Sequence, residues 1–261
     1  MSRDPFRNLN TYKIDPLAEI RNAGIITNGD VFWVSSESDS LHRSRIDDLG
    51  RKVVKTTINK AVSDARDNNN DYVMGVPTDN GTVVPLGTAI DVTKDRLHIL
   101  GVGYKPVPQG YGGLTFRGYV SASGVDSELM HVNGAGVEIG GIKLLGTSGT
   151  AAGGTITAYL RIGTSANGTP HDLYMHDVQV ENTQAAAAGG TAQIVLVAGD
   201  VATGIEGMRF DRCWFGNWNW APTGVVDLGV GSAGPARTEF NDCTFVMDAQ
   251  ATTDRFLVMG T

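Results

Sequence analysis

The chain has 261 residues, a formal net charge of −7 and a pI near 5.2, which argues against a protein that binds nucleic acid by neutralising its phosphates. No apolar run approaches the roughly 18 residues of a membrane-spanning helix, so no membrane insertion is expected. Glycine, at 34 residues, is nearly double its usual share of about 7%, and charged residues, at 19%, fall below the usual 25% or so, a balance that suits stacked, turn-rich β-structure or broad contact with other subunits.

Residues 1–28 are polar and weakly patterned, with Pro5 and Pro16, and read as an extended arm. GDVFWVSS, from Gly29 to Ser36, reads as a short strand. The period changes in RKVVKTTINKAVSDAR, where Val54, Ile58, Ala61, Val62 and Ala65 fall on one helical face. DNNND ends that helix, and a strand follows with Tyr72, Val73, Met74 and Val76 as its apolar residues. Beyond it the pattern predicts short strands between Gly-rich connections and no further helix. The first residues, MSRDPFRNLNTYKID, carry no apolar leader core, and two cysteines make no disulfide framework, so synthesis in a reducing cytoplasm is expected.

A repeat organises the remainder. VEIGGIKL from Val137, LYMHDVQV from Leu173, MRFDRCWF from Met208 and TEFNDCTF from Thr238 share the pattern apolar-x-apolar-x-x-apolar-x-apolar, with Thr238 standing in for the first apolar residue. Their starts lie 36, 35 and 30 residues apart. A second series runs between them: MHV at Met130, LRI at Leu160, IVL at Ile194, VDL at Val226 and FLV at Phe256. RLHILGVGY, around Leu97, reads as an earlier turn of the same kind. Three short strands recurring in order imply one coil per repeat, with the x-x pair as a corner and the strands stacked in parallel.

In these repeats the chain resembles the right-handed parallel β-helix of the pectate-lyase-like superfamily, and in particular the β-helical proteins of tailed-phage virions. TTINKAVSDARDNNNDYVMGVP is similar to the cap that seals the first coil in those proteins, and DRLHILGVGYKP to the early-coil strand that follows. The resemblance spans about residues 29–261 and is one of architecture. The Gly-Asp-Gly-x-x-Asp-Asp-Thr motif frequent in phage tailspikes is absent. The expected fold is all-β: a single-stranded right-handed parallel β-helix with an N-terminal arm and a capping helix. Residues 1–28 form the arm, 29–104 the capping strand, helix and first coils, and 105–261 the parallel β-helix coils.

Coils stacked in register, about 4.8 Å apart, turn equivalent positions into columns. The inward columns are Ile139, Met175, Phe210, Phe240 and Ile142, Val178, Cys213, Cys243. Cys213 and Cys243 become neighbours whose spacing suits a disulfide, although inward thiols of a cytoplasmic product are expected to be free. One corner column runs Gly141, Asp177, Arg212, Asp242 with alternating charge, and the other runs Gly140, His176, Asp211, Asn241. A neighbouring outer face carries Glu138, Tyr174, Arg209 and Glu239. HDLYMHDVQVEN, with two histidines and two aspartates close together, suggests a metal or acid/base site. In the repeat it becomes a solvated corner with His171 a strand length away, and a His176–Asp211 hydrogen bond between coils is expected. A glycosidase needs two carboxylates roughly 5–9.5 Å apart, and only Asp211 and Asp242 could approach diagonally.

Other signals are weak. Asp67-x-Asn69-x-Asp71 begins like a calcium loop but has Tyr72 and Thr78 where Gly and Glu are required. Gly101-x-Gly103 lacks the helix of a dinucleotide fingerprint, and Asn167-Gly-Thr is a sequon without a secretory context. The connections LGTSGTAAGGTITAY and NTQAAAAGGTAQ carry no charge, which suits packing against another chain better than catalysis. Trp214, Trp218 and Trp220 could stack on sugar rings, but an interface or loop-packing cluster is the preferred reading. The sequence stops at RFLVMGT without a capping segment, so a further domain or another subunit is expected to cover the last coil.

The resemblance implies a structural component of a bacteriophage virion, a homotrimeric appendage such as a tail fibre, tailspike, head fibre or capsid decoration protein. It would be assembled in the host cytoplasm and act in assembly and host adsorption. Its partners would be copies of itself, other virion proteins through the arm, and host surface glycan. No catalytic residue, cofactor or metal is assigned. The competing reading is a polysaccharide lyase or hydrolase, a tailspike depolymerase with Asp211, Asp242 or Glu239 as acid/base groups and the Trp214–Trp220 cluster holding sugar. A third reading is a non-catalytic glycan-binding module on the same tryptophans.

Overall fold

The structure, a computed structural model, describes residues 29–34, 54–55, 57–75, 83–86, 89–101, 114–119, 129–147, 158–163, 170–182, 193–198, 206–216, 224–230, 236–246 and 255–258. The expected arm, Val76, Thr78, Gly103, Asn167, Trp218, Trp220 and most of the two uncharged connections lie outside these residues.

In chain order the elements begin with β1 (Val31–Val34), β2 (Val54–Lys55), α1 (Ile58–Asp64), β3 (Tyr72–Gly75), β4 (Val83–Leu86), β5 (Ile90–Val92) and β6 (His98–Gly101). There follow β7 (Leu114–Tyr119), β8 (Met130–Val132), β9 (Glu138–Gly140), β10 (Ile142–Thr147), β11 (Ala158–Ile162), β12 (Tyr174–His176) and β13 (Gln179–Asn182). The last are β14 (Gln193–Ala198), β15 (Glu206–Asp211), β16 (Trp214–Gly216), β17 (Gly224–Val230), β18 (Ala236–Asn241), β19 (Thr244–Val246) and β20 (Arg255–Val258). The described residues are thus mostly strand with one helix, an all-β protein.

The helix is shorter than its apolar period predicts. Thr57, in extended conformation, caps it by accepting the Lys60 N–H on Oγ1 at 3.2 Å, so helical geometry begins at Ile58. Val54 belongs instead to β2, paired in parallel with Trp33 of β1. The β-branched Val54 finds a sheet edge beside it, and that tertiary partner outweighs the helical spacing. Ile58, Ala61 and Val62 point into the core, while Lys60 and Asp64 pair on the exposed side at 2.8 Å.

The strands form three sheets, and every pairing between them is parallel. Sheet A has the order β18-β15-β12-β9-β6-β3-β1-β2, sheet B β19-β16-β13-β10-β7-β4 and sheet C β20-β17-β14-β11-β8-β5. From β3 onward the chain visits A, B and C in rotation, so each sheet receives every third strand. The expected columns hold. Val73, Ile99, Ile139, Met175, Phe210 and Phe240 align across sheet A, with His98–Gly101 of RLHILGVGY as the earlier turn expected there. In sheet B, Lys143, Gln179, Trp214 and Thr244 align, which places Ile142, Val178, Cys213 and Cys243 together one position earlier.

The second series, which forms sheet C, is aligned one residue differently from expectation at two strands. Leu160 pairs with Val195, not Ile194, and Val226 pairs with Leu257, not Phe256. Strands such as QIVLVA carry apolar residues at both parities, so alternation leaves their register open. β14 also shifts register against β17 between Leu196 and Ala198.

Between the sheets lies one apolar cluster, in which Ile139, Ile142, Met175, Val178 and Phe210 are fully buried. Aromatic rings stack along it from repeat to repeat, Phe210 on Phe240 at 4.8 Å and Phe215 on Phe245 at 5.5 Å. Across the core Phe210 and Phe215 meet edge to face at 5.9 Å. The turns flanking sheet A depend on a second regularity. Left-handed residues recur before its strands at Asn70, Arg96, Gly136 and Asp172, at the second residue of β15 and β18 (Gly207 and Arg237), and after the strands at Gly141, Asp177, Arg212 and Asp242. Such conformations are uncommon outside glycine. Arg96, Gly136, Gly141, Asp172, Asp177 and Arg212 each send their N–H into the next repeat, for example Asp177 to Asp211 O at 3.0 Å, Arg212 to Asn241 O at 2.8 Å and Asp172 to Glu206 O at 2.9 Å. The ladder of backbone bonds therefore continues round the corner.

Candidate functional site

The outer face of sheet A carries the main concentration of titratable side chains among the described residues. Pairing places Tyr72, His98, Glu138, Tyr174, Arg209 and Glu239 in one row, and Gly140, His176, Asp211 and Asn241 in the next. At the start of the row the Tyr72 and His98 rings stack, 4.2 Å apart and 5° from parallel.

Glu138 is the hub of the first cluster. Its Oε2 lies 2.6 Å from His98 Nδ1 and its Oε1 lies 3.1 Å from His176 Nε2. The second nitrogen of His176 meets Asp177 Oδ2 at 3.0 Å. A carboxylate at each ring nitrogen is satisfied in full only by the doubly protonated imidazolium. Gly140 makes this geometry possible, since a Cβ there would stand 2.3 Å from the His176 ring. Asp177 in turn accepts a two-point bond from Arg212, Nε to Oδ1 at 2.8 Å and Nη2 to Oδ2 at 2.7 Å.

Asp211 centres the second cluster and is 4% exposed. It accepts from Arg209 Nε at 3.0 Å, Tyr174 Oη at 3.0 Å and Asn241 Nδ2 at 2.8 Å. A further Arg209 contact, from Nη2, reaches Oδ2 at 2.9 Å. The guanidinium also lies over the Tyr174 ring, 5.6 Å from its centre.

The electrostatics follow these contacts. Burial pushes the Glu138 carboxyl upward, but hydrogen bonds from His176 and His98, with their charges, overcome it and hold the pKa at about 2. Arg209, then Asn241 and Tyr174, bring Asp211 to about 2 against its desolvation. The Arg212 bond lowers Asp177, and the Glu138 bond raises His176 despite burial. A general acid must hold a proton near its working pH, and a carboxyl at about 2 does not.

Several sequence-based expectations change here. His176 does not bond Asp211: it reaches back to Glu138 over Gly140, while donors from Arg209, Tyr174 and Asn241 occupy Asp211. Asp211, expected to point outward at a corner, is buried beneath those donors. Of the expected alternating column, the Asp177–Arg212 pair forms. His171 pairs in β-bridge fashion with Glu206, apart from the Glu138 cluster. Glu239 and Asp242 are exposed. Among the described residues no group of three or more His, Cys, Asp or Glu is arranged to hold a metal ion. Trp214 is half-buried and donates its indole N–H to Gly216 O at 3.0 Å. Both cysteines are free.

The residue that sequence reasoning underrated is Glu138. Its signal was present in the columns: extending its row back one repeat gives His98, and the glycine two residues on leaves room for the next histidine. No family model matches the chain, and neither a curated protein nor a solved structure does.

Proposed function

We propose that the chain is a structural protein of a bacteriophage virion, a single-stranded right-handed parallel β-helix that assembles as a homotrimeric appendage. Rotation through three parallel sheets supports the architecture, because a crossover joining parallel strands is right-handed in nearly all proteins. One observation carries the functional reading. Glu138, Asp177 and Asp211 are each committed to cationic or hydrogen-bonding partners within and between repeats, so these carboxylates supply cohesion to the face. Stacked strands, columns of core side chains and outer polar pairs together make a stiff rod. Residues 1–28 attach it to other virion proteins, and its far surface meets host glycan.

The depolymerase reading loses Asp211 as its general acid, since Arg209, Asn241 and Tyr174 hold that carboxyl well below the usual range and it is buried. Native mass spectrometry of the purified chain, paired with a glycan-turnover assay on host capsule and lipopolysaccharide, separates the two. A trimer without turnover is expected. A monomer that cleaves glycan, with cleavage abolished in an Asp211→Asn/Asp242→Asn variant, would replace this reading with the enzymatic one.

A further inference from the structure

We infer that Cys213 and Cys243 close a reversible disulfide between the last two described repeats by exchange with a small-molecule disulfide such as oxidised glutathione. Trp214 and Thr244 are partners in parallel register, so the cysteines one residue earlier also face each other. Thr244 N–H donates to Cys213 O at 2.8 Å, which fixes the two backbones side by side. In-register neighbours of this kind lie roughly 4.8 Å apart, inside the window of about 4.4–6.8 Å between disulfide-linked Cα atoms. Both thiols belong to the core side of the sheet, where the Cys213 thiol reaches Met175 O at 3.7 Å and Asp211 O at 3.5 Å. Cys243 also reaches Phe210 O at 3.3 Å, so its sulfur leans toward the preceding repeat.

The two sulfurs are not equivalent, and that sets the order of events. Cys213 is 2% exposed, whereas Cys243 is only partly buried. The neighbouring Cys243 sulfur, together with burial, pushes the Cys213 thiol up, and the neighbouring Cys213 brings the more exposed Cys243 down. The Cys243 thiolate attacks one sulfur of oxidised glutathione, whose S–S bond breaks as a glutathione thiolate leaves and is protonated by water. Cys213 then loses its proton to solvent and attacks Cys243 Sγ, and the second glutathione departs as a thiol. Two protein thiols are oxidised to one disulfide while one oxidised glutathione is reduced to two thiols. The product ties β18 and β19, whose Phe240 and Phe245 are partly buried, to the fully buried Phe210 and Phe215 of the repeat before. The inference goes beyond the proposed virion role and does not depend on it.

The test incubates the native full chain with oxidised glutathione, quenches with acid, alkylates and measures intact mass. Loss of two hydrogen atoms is expected, with no glutathione adduct, no alkylation and a single-chain band on a non-reducing gel. The unfolding midpoint should rise by roughly 5–10 °C and return with dithiothreitol. Cys213→Ser should stop at one glutathione on Cys243, and Cys243→Ser should take up none. A lasting glutathione adduct on the unaltered chain, a disulfide between two chains, or two thiols still open to alkylation would each overturn the inference. A disulfide formed without a rise in midpoint would overturn its role as a staple.

Discussion

The two faces of sheet A are built from alternate residues of the same strands, yet they obey different rules. On the core side Ile139, Met175, Phe210 and Phe240 replace one another from repeat to repeat. Apolar contact has no direction, so any residue of suitable volume serves there. On the outer side Glu138, Arg209 and Asp211 are not interchangeable, because each needs a donor or acceptor at one distance and angle. Repetition therefore survives in the core as a pattern, and outside only as an alignment of unlike partners.

The contrast can be tested from its strongest side. Phe210→Ala removes a ring stacked on Phe240 and edge-on to Phe215, and should cost about 3–5 kcal/mol in urea unfolding. Phe210→Leu should cost well under half of that, since the core asks for volume. Asp211→Ala leaves Arg209, Tyr174 and Asn241 facing a lost acceptor and should cost about 2–3 kcal/mol by the same measurement. If Asp211→Ala proved neutral, the outer face would be as permissive as the core.

The pH dependence of the Glu138 cluster should be smaller, of the order of 1 kcal/mol, because its groups are partly exposed. His176, with its pKa raised above the ordinary 6.5, contributes stability that is full below that value and lost as pH rises through the raised one. Glu138, lowered from 4.5 to about 2, contributes stability present above 4.5 and lost as pH falls through about 2. The cluster is therefore strongest between these ordinary values, in mild acid. Thermal midpoints against pH should fall on the alkaline side, and His176→Gln should flatten that limb relative to the unaltered chain. Arg212→Ala should give the smallest effect, up to about 1 kcal/mol, because its pair with Asp177 is largely exposed. That loss should shrink further at high salt.

Much of this was legible in the residues. The spacing of VEIGGIKL, LYMHDVQV, MRFDRCWF and TEFNDCTF was sufficient to align four repeats and name both inward columns, because alternation at a corner of constant length admits one register. The second series was less legible, since IVLV is apolar at both parities and backbone pairing alone chose Val195 over Ile194. Val54 shows the same limit: helical spacing included it, and a neighbouring strand claimed it. The left-handed corners at Asp177, Arg212 and Asp242 carried little signal, because arginine does not ordinarily adopt that conformation.

By itself the sequence determined where the sheet A and B strands of the four repeats from Val137 lie, their two inward columns and that Asp177 and Arg212 would meet, all consequences of period and sign of charge. Only the tertiary structure decided the partners of His176 and Asp211. Both had several polar neighbours within reach, and the choice rested on space and direction. The missing side chain of Gly140 admits an imidazole on one side, and Arg209 lies two residues from Asp211 on the same face. Hydrogen bonds of similar strength compete at such a surface, and packing geometry selects among them.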